Sequence, residues 1–343
     1  MHHMLRTHRL AAIVAAVLIA TAKAASAQSA PEPQLPAASP DEIDPVLRAQ
    51  VLLDRAHFSP GIIDGMWGDN AAKALAFYSS SQSGDSTVKV DSTMLLDEAT
   101  YSRLRRAMGS QPILTNYAVT TADVEGPFKR LPDNVYEQAK LDCLCYESAK
   151  EAIAEKFHTS VKLLAQVNPK VALDTLTAGT TLKVPNVEVE AVDGAASGAP
   201  PSSGVAKLIV SKTGFWTHAV DSSGRVLYHF PSTLGSGYLS QADESPTGGF
   251  KVTNISWNPA FHYQPKLFAE VSDTKPEARL PKGPNSPVGV VWMALSKPHF
   301  GIHGTSSPET IGYANSHGCV RLTNWDATEL GHLISKGTPV VFQ

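Results

Sequence analysis

Two stretches of linker-like composition divide this chain, and they exclude a single continuous core. Residues 28–40 hold four prolines among Ala, Ser and Gln, and residues 187–204 are rich in Gly, Ala, Pro and Ser. Such segments have little apolar surface to bury. The chain has 343 residues, of which 43% are hydrophobic, so the remainder is expected to fold as separate domains with their own cores.

The first 27 residues have the pattern of a secretory signal peptide. Basic Arg6 and Arg9 precede an apolar run over 10–22, and Ala25-Ser26-Ala27 forms a small-x-small cleavage site. The run is shorter than the ~20 apolar residues that span a membrane, although an uncleaved anchor is the alternative. Removal of 1–27 deletes three basic residues and no acidic one, which leaves a net charge of 26 − 32 = −6. This weak acidity argues against a nucleic-acid partner.

The three cysteines are an odd number for an exported chain. Cys143 and Cys145 are one residue apart, and both a small disulfide ring and a pair of buried thiols fit that spacing. Cys319 is distant from both and is the one expected to be left over. An exported thiol without a disulfide partner is usually kept for chemistry.

The surroundings of Cys319 have the residue types of a thiol nucleophile with its base. His303 lies 16 residues upstream and is the predicted base, with His317 as the alternative; the expected product is a thiolate–imidazolium ion pair. Gly318 lets the backbone approach a substrate, so the amides of 318 and 319 are predicted to form an oxyanion hole. Arg321 either holds a substrate carboxylate or forms a structural salt bridge.

A zinc site is the competing interpretation of the same residues. His303, His317 and Cys319 are legitimate zinc ligands. No CxxC or HExxH pattern accompanies them. The sequence therefore favours a catalytic thiol over a zinc site.

Residues 41–110 are predicted to form a small helical domain. Asn70 is expected to cap its second helix and Asp97 its third. A Ser-rich insertion over 79–91 interrupts the pattern. The segment resembles the peptidoglycan-binding-like three-helix module, and the resemblance is carried by Leu52-Leu53-Asp54-Arg55, Pro60-Gly61, Ile63-Asp64-Gly65, Trp67-Gly68 and Ala74 to Phe77.

Residues 117–186 follow a strand–helix–helix–strand pattern. Ser160 is expected to cap the second helix, which Asn168-Pro169 ends. The segment resembles a LysM domain, a βααβ fold that binds N-acetylglucosamine glycans. These residues, together with 153–157 and the closing strand over 179–186, carry the resemblance. The departure is an insertion over about 121–147, which contains the two close cysteines and lies where one edge of the family's groove is expected.

Short strands separated by polar turns dominate residues 205–343. This pattern predicts a mainly-β sandwich or an irregular barrel, with one late helix capped by Asn324. The Pro-containing stretch over 257–284 lacks periodicity, and we expect it to include a lid over the active-site cleft.

The same 205–343 region resembles the YkuD-type L,D-transpeptidase catalytic domain. The motif is His303, then a gap, then Ser316-His317-Gly318-Cys319-Val320-Arg321; the supporting segments are 246–250, 283–289 and 302–305. The resemblance implies Cys319 as nucleophile, His303 as base and the Gly304 carbonyl as the group that orients the imidazole. It also implies that Ser316, His317, Gly318 and Arg321 surround the substrate.

The implied reaction is acyl transfer from tetrapeptide stems of peptidoglycan through a thioester, which releases D-Ala and forms 3→3 crosslinks. The resemblance implies that this reaction needs no metal and no organic cofactor. Lipoprotein anchoring, L,D-carboxypeptidase activity and D-amino acid exchange share the thioester step, and an inactive wall-binding scaffold is the non-enzyme alternative. The expected partners are stem peptides and glycan, an outer-membrane lipoprotein under the anchoring alternative, and carbapenem-type inhibitors. The expected location is periplasmic and wall-associated.

Overall fold

The computed structural model describes residues 43–83, 97–109, 111–189, 203–234, 249–267, 272, 274–313 and 318–343. The predicted signal peptide, the linker over 28–40 and most of the linker over 187–204 lie outside these ranges. None of the helices found within them is both long enough and apolar enough to cross a bilayer.

Three helices form the first module: α1 (Pro45–Arg55), α2 (Asp69–Ser83) and α3 (Glu98–Met108). They share a core that includes Leu53, Leu75 and Leu104, all fully buried. As predicted, Asp97 caps α3, because its carboxylate accepts from the Thr100 amide at 2.6 Å.

The predicted cap of the second helix was wrong. Helix α2 begins at Asp69, so Asn70 lies inside its first turn. The Asn70 side chain is buried and Nδ2 donates to the Ile311 carbonyl at 2.9 Å. Its amide therefore faces the C-terminal domain instead of the end of its own helix.

The second module has the expected strand–helix–helix–strand order. Strand β1 (Leu114–Ala118) pairs antiparallel with β2 (Thr181–Pro185), and helices α6 (Ala149–Lys156) and α7 (Val161–Val167) lie between them in sequence. A 3₁₀ turn (Leu173–Thr175) follows α7. The Ser160 hydroxyl caps α7 by accepting from the Leu163 amide at 3.0 Å, which confirms that prediction.

The insertion in the second module contains two short helices and a disulfide. Helices α4 (Thr121–Glu125) and α5 (Val135–Gln138) precede the Cys143–Cys145 bond. Next to that bond, Leu144 pairs with the C-terminal domain: its N–H donates to Lys282 O, and its carbonyl accepts from Asn285 N, both at 2.9 Å. The insertion thus attaches the second module to the third.

The C-terminal domain is built on one mixed eight-stranded sheet. Its strands are β3 (Lys207–Val210), β4 (Trp216–Val220), β5 (Val226–Pro231), β6 (Phe250–Trp257), β9 (Val291–Leu295), β10 (Gly301–His303), β11 (Val320–Arg321) and β12 (Pro339–Phe342). Their order across the sheet is β11-β10-β9-β6-β12-β3-β4-β5. A separate hairpin, β7 (Phe261–Tyr263) with β8 (Ala278–Leu280), lies within the segment predicted to include a lid. Single 3₁₀ turns occur at Pro265–Leu267 and Pro308–Thr310.

The two edges of this sheet meet. Just beyond β5, Thr233 forms a bridge with Arg321 of β11, with N–O distances of 3.0 and 2.9 Å in the two directions. Of the two predicted architectures, this closure favours the irregular barrel over two stacked sheets. Fully buried side chains such as Leu208, Met293 and Ile302 fill its interior.

The late helix of this domain, α8 (Asn324–Leu333), is not capped by Asn324 as the sequence predicted. Thr323 is the cap, and its hydroxyl accepts from the Asp326 amide at 3.1 Å. Because Asn324 is the first helical residue, its side chain is free to reach other elements. Leu330 and Ile334 face the core, and Leu333 is half-buried.

The three modules pack together as one compact unit over Ile43–Gln343. The first module continues the sheet at its β5 edge, since Ser59 N donates to His229 O and His229 N donates to His57 O. It also bridges the second module through Ile63 and Thr159. An edge strand covered in this way has fewer exposed backbone groups for unwanted pairing.

Candidate active site

Strands β10 and β11 bring the predicted catalytic residues together. They pair in parallel, with Ile302 opposite Val320 and His303 opposite Arg321. Ile302 and Val320 are fully buried in the core. Because successive side chains of a strand point to opposite faces, His303, Arg321 and the Cys319 that precedes β11 share the other face.

The His303 ring is held by its own backbone neighbour. Nδ1 lies 2.6 Å from the Gly304 carbonyl oxygen, as the sequence resemblance implied. This bond favours the tautomer in which Nδ1 carries the proton and Nε2 is the basic nitrogen. Trp292, which is opposite His303 in the β9–β10 register, stacks on the ring with 5.2 Å between centroids.

Cys319 is outside the disulfide, which joins Cys143 to Cys145. The thiol is half-buried, and Sγ lies 3.6 Å from the carbonyl oxygen of His299. The preceding Gly318 has a φ of 152°, which side chains disfavour. The backbone before the thiol is therefore in a conformation that glycine accommodates best.

Burial favours the neutral forms of the Cys319 thiol and the His303 imidazole. It raises the pKa of the Cys319 thiol, although a backbone hydrogen bond from Gly301 and the charge of Arg321 oppose the shift. Burial also lowers the pKa of His303 to about 4. The sequence predicted a thiolate–imidazolium pair, whereas these directions favour a thiol and a neutral imidazole in the free protein. The reason is that both charged forms lose hydration at this position.

Arg321 has no carboxylate partner among the residues that the structure describes. Burial lowers the pKa of its guanidinium, and the neighbouring Cys319 opposes that shift. Of the two predicted roles, the structural salt bridge thus finds no support in the described part of the chain.

Ser316 and His317 lie outside the described residues, so their predicted roles stay predictions. Within the described ranges, no group of three His, Cys, Asp or Glu side chains is arranged to hold a metal ion. The zinc alternative involved His317 and therefore remains untested.

Two residues near the site were not predicted to belong to it. The first is Trp292, which lies opposite His303 in the hairpin of β9 and β10; the closeness of these strands in sequence could have indicated the pairing. Asn324 was interpreted as a helix cap. It instead bonds Val290 N through Oδ1 at 3.2 Å, and Pro284 O and Glu155 Oε1 through Nδ2 at 3.1 and 2.9 Å. No local pattern reveals a contact between residues 169 positions apart.

A cavity lies elsewhere in the described part of the chain. It has a volume of about 570 Å³ and lies where the three modules meet. Its walls include Asp54, Glu155, His158, Trp325 and Asp326, and neither Cys319 nor His303 is among them.

Comparisons with known proteins assign two segments of the chain. Residues 206–342 match the YkuD family, described as the L,D-transpeptidase catalytic domain, and residues 151–185 match the LysM domain. The LysM match starts at α6 and so excludes β1 and the insertion.

Named relatives agree with the family matches. The chain is 31% identical over 189 residues to the putative L,D-transpeptidase YkuD of Bacillus subtilis, which covers 55% of this chain and 90% of that protein. It is 26% identical to the probable L,D-transpeptidase YbiS of Escherichia coli K12, over 56% of this chain and 59% of that protein. An L,D-transpeptidase structure from Mycobacterium smegmatis is 20% identical with a TM-score of 0.31, covering 41% of this chain and 58% of that one. The sequence relatives, and not this structural likeness, carry the assignment.

Proposed function

Because the chain belongs to the YkuD-type L,D-transpeptidase family, we propose that it is a peptidoglycan L,D-transpeptidase in which Cys319 is the nucleophile and His303 the general base. The observation that carries this proposal is the β10–β11 strand pair. It presents a thiol that is outside any disulfide and an imidazole whose tautomer is fixed, both on one face of the sheet.

The first half-reaction is acylation. As the Cys319 sulfur attacks the carbonyl carbon of the third stem residue, its proton passes to Nε2 of His303. The tetrahedral oxyanion is stabilised by the amides of Gly318 and Cys319. The C–N bond to D-Ala then breaks, the leaving amine takes the proton from His303, and a thioester remains. Proton transfer during attack is consistent with a neutral resting pair.

The second half-reaction returns the free thiol. The side-chain amine of another stem's diaminopimelate attacks the thioester, gives a proton to His303 and forms an amide, and the sulfur leaves and is reprotonated. Water at this step would release a tripeptide, a free D-amino acid would exchange the terminal residue, and a lipoprotein lysine would be anchored. We propose crosslinking as the main outcome.

We propose that Arg321 binds a carboxylate of the stem peptide. It lies opposite His303 in the strand register, two residues after the nucleophile, and the described residues supply no acidic partner for it. A planar guanidinium can hold a carboxylate through two parallel hydrogen bonds. Ser316 and His317 are proposed to complete the substrate's surroundings.

We further propose that the protein acts in the periplasm after removal of residues 1–27. The LysM match and the helical module are proposed to hold it on the wall, where its substrates are. Carbapenems are proposed to acylate Cys319, because their strained β-lactam carbonyl presents the same kind of electrophile to the thiol.

The test uses the mature chain and purified disaccharide-tetrapeptide, with products separated and weighed by mass spectrometry. We expect D-Ala release and a 3→3 linked dimer, both lost in Cys319→Ala. If tripeptide is the only product, the activity is that of a carboxypeptidase and not of a crosslinking enzyme. If a protein with intact Cys319 gives no product, the inactive scaffold is supported. A carbapenem adduct on Cys319 would independently identify the nucleophile.

A further inference from the structure

A carboxylate of the LysM-like module reaches the C-terminal domain close to His303. Glu155 is on α6, and its Oε1 accepts two hydrogen bonds, from the Tyr146 hydroxyl at 2.8 Å and from Asn324 Nδ2 at 2.9 Å. Tyr146 belongs to the same module, and Asn324 begins α8 of the catalytic domain. One carboxylate oxygen therefore connects the two modules.

The side-chain amide of Asn324 has hydrogen-bond partners for its oxygen and for both of its hydrogens. Oδ1 accepts from Val290 N, and the two Nδ2 hydrogens are directed to Glu155 and to the Pro284 carbonyl. The residue is 2% exposed, so water cannot replace a lost partner easily. Removal of the Glu155 acceptor would leave a buried N–H without its hydrogen bond.

The Asn324 amide packs directly against Gly304. A methyl group at Gly304 would overlap Asn324 Oδ1, and so would one at Gly289. Gly304 is the residue whose carbonyl accepts from His303 Nδ1. Since interiors are close-packed, a rotation of the Asn324 amide has to displace the Gly304 backbone.

We propose that Glu155 is a positioning residue for the transpeptidase reaction, supplied to the catalytic domain by the LysM-like module. Glu155 fixes the Asn324 amide, Asn324 fixes the backbone at Gly304, and the Gly304 carbonyl fixes the His303 ring. The inference rests on the proposed function for the role of His303 as base. It makes the second module part of the active-site scaffold in addition to any role in holding the wall.

The experiment compares three variants of the mature chain. Glu155→Leu removes the acceptor, and Glu155→Gln keeps an oxygen at the same position. Glu151→Leu is the matched control. Glu151 is also on α6 and also crosses to the catalytic domain, accepting from Asn285 Nδ2 at 2.8 Å, but it makes none of the hydrogen bonds of Asn324.

Three readouts separate positioning from general damage. The first is kcat and KM with disaccharide-tetrapeptide. The second is the pH profile of Cys319 alkylation by iodoacetamide, which needs no substrate and reports the free thiol. The third is the ¹⁵N NMR signal of the His303 ring nitrogens, which reports the tautomer.

We expect kcat of Glu155→Leu to fall about tenfold with KM within about twofold, because a small misplacement of a reacting group is enough to slow the chemical step. Its His303 signals should show a mixture of tautomers. Glu155→Gln and Glu151→Leu should stay within about twofold of the unmodified protein and keep its His303 signals. Equal losses in Glu155→Leu and Glu151→Leu, with unchanged His303 signals in both, would overturn the proposal.

Glu155→Asp covers the case in which Glu155→Leu does not fold. It keeps the charge and withdraws the acceptor by one methylene, so we expect a loss of about threefold in kcat with shifted His303 signals. Full kcat with unshifted signals would also overturn the proposal. If the unmodified protein itself shows no turnover, the proposed function fails, while alkylation and NMR still decide whether Glu155 positions His303.

Discussion

The β10–β11 strand pair and the junction of the three modules both remove ionisable side chains from bulk water, but they use them differently. At the junction the groups partner one another across modules: His158 pairs with Asp54 at 2.9 Å and His57 with Glu329 at 2.6 Å. At the strand pair, His303 is held by a backbone carbonyl. Burial disfavours the charged form of both His158 and His303, but nearby carboxylate charges, led by Asp54, raise the pKa of His158 all the same. The uncharged Gly304 carbonyl leaves the pKa of His303 lowered, so its ring stays neutral.

The comparison also shows that large pKa shifts and large cavities do not by themselves identify a catalytic site. Burial raises the pKa of Glu155 to about 7 and that of Asp326 to about 8, and both line the 570 Å³ cavity at the junction. Structural ion-pair networks perturb pKa values as active sites do. Here the chemistry is assigned instead to the β10–β11 strand pair, which places thiol, imidazole and guanidinium on one face.

The largest expected effect comes from His303→Gln, which removes the base and keeps a polar side chain. We expect turnover of disaccharide-tetrapeptide to fall by about 10³-fold, within the range for loss of a general base. Thermal unfolding should change little, since no ion pair is lost. If the variant keeps turnover within tenfold of the unmodified protein, another residue is the base. His303 would then have no more catalytic role than the paired histidines of the junction.

Arg321→Gln should have the next largest effect. A lost charge-assisted carboxylate bond costs about 1.5–3 kcal/mol, so we expect kcat/KM to fall by about 10- to 100-fold, mainly through KM. Arg321→Lys is the control that keeps the charge without the bidentate geometry, and it should recover part of the loss. A fall in thermal stability with unchanged kcat/KM would instead favour a structural role.

Most of the site was predictable because it is encoded locally. The motif from Ser316 to Arg321 together with His303 pointed to a catalytic thiol, and the family resemblance is confirmed by the YkuD and LysM matches. Caps at Asp97 and Ser160 were correct because a cap depends on the next three residues. The assignment of roles to the site residues remains a prediction.

The failures share a physical cause. Asn70 and Asn324 have the local signature of helix caps, but each amide bonds across a module boundary instead. A local sequence pattern indicates how a side chain competes for the backbone hydrogen bonds near it. It contains no information on which distant part of the chain will pack against that side chain. For the same reason the junction of the three modules was not foreseen. The state of Cys143 and Cys145 was left open on a different ground, because both a disulfide and two thiols fit their spacing.

Asp326→Asn tests the junction side of the comparison. The folded pKa of Asp326, about 8, is raised above the ordinary 3.8 because burial disfavours the charge. The folded state therefore holds its proton more tightly, and stability is lost as the pH rises from 3.8 through 8. The neutral amide of Asp326→Asn avoids this loss. We therefore expect the variant to melt at a higher temperature than the unmodified protein, with a difference that grows between pH 4 and pH 8 and is about 5 °C at higher pH. Turnover at pH 7 should be unchanged; a pH-independent difference in melting temperature would show that burial of charge is not the cause.

The smallest expected effect is that of Glu329→Gln, which destabilises the fold at low pH, whereas Asp326→Asn stabilises it at high pH. The hydrogen bond to Glu329 raises the pKa of His57, so the pair stabilises the fold below the ordinary histidine pKa of 6.5 and stops doing so as the pH rises through the folded value. The His57 side chain is 43% exposed, and solvent screening limits such a pair to about 0.5 kcal/mol. We expect a melting temperature about 1–2 °C lower at pH 5.5 and no decrease at pH 8. A double-mutant cycle with His57→Gln isolates the pair, and a coupling that persists at pH 8 would mean that packing, and not charge, joins the first module to α8.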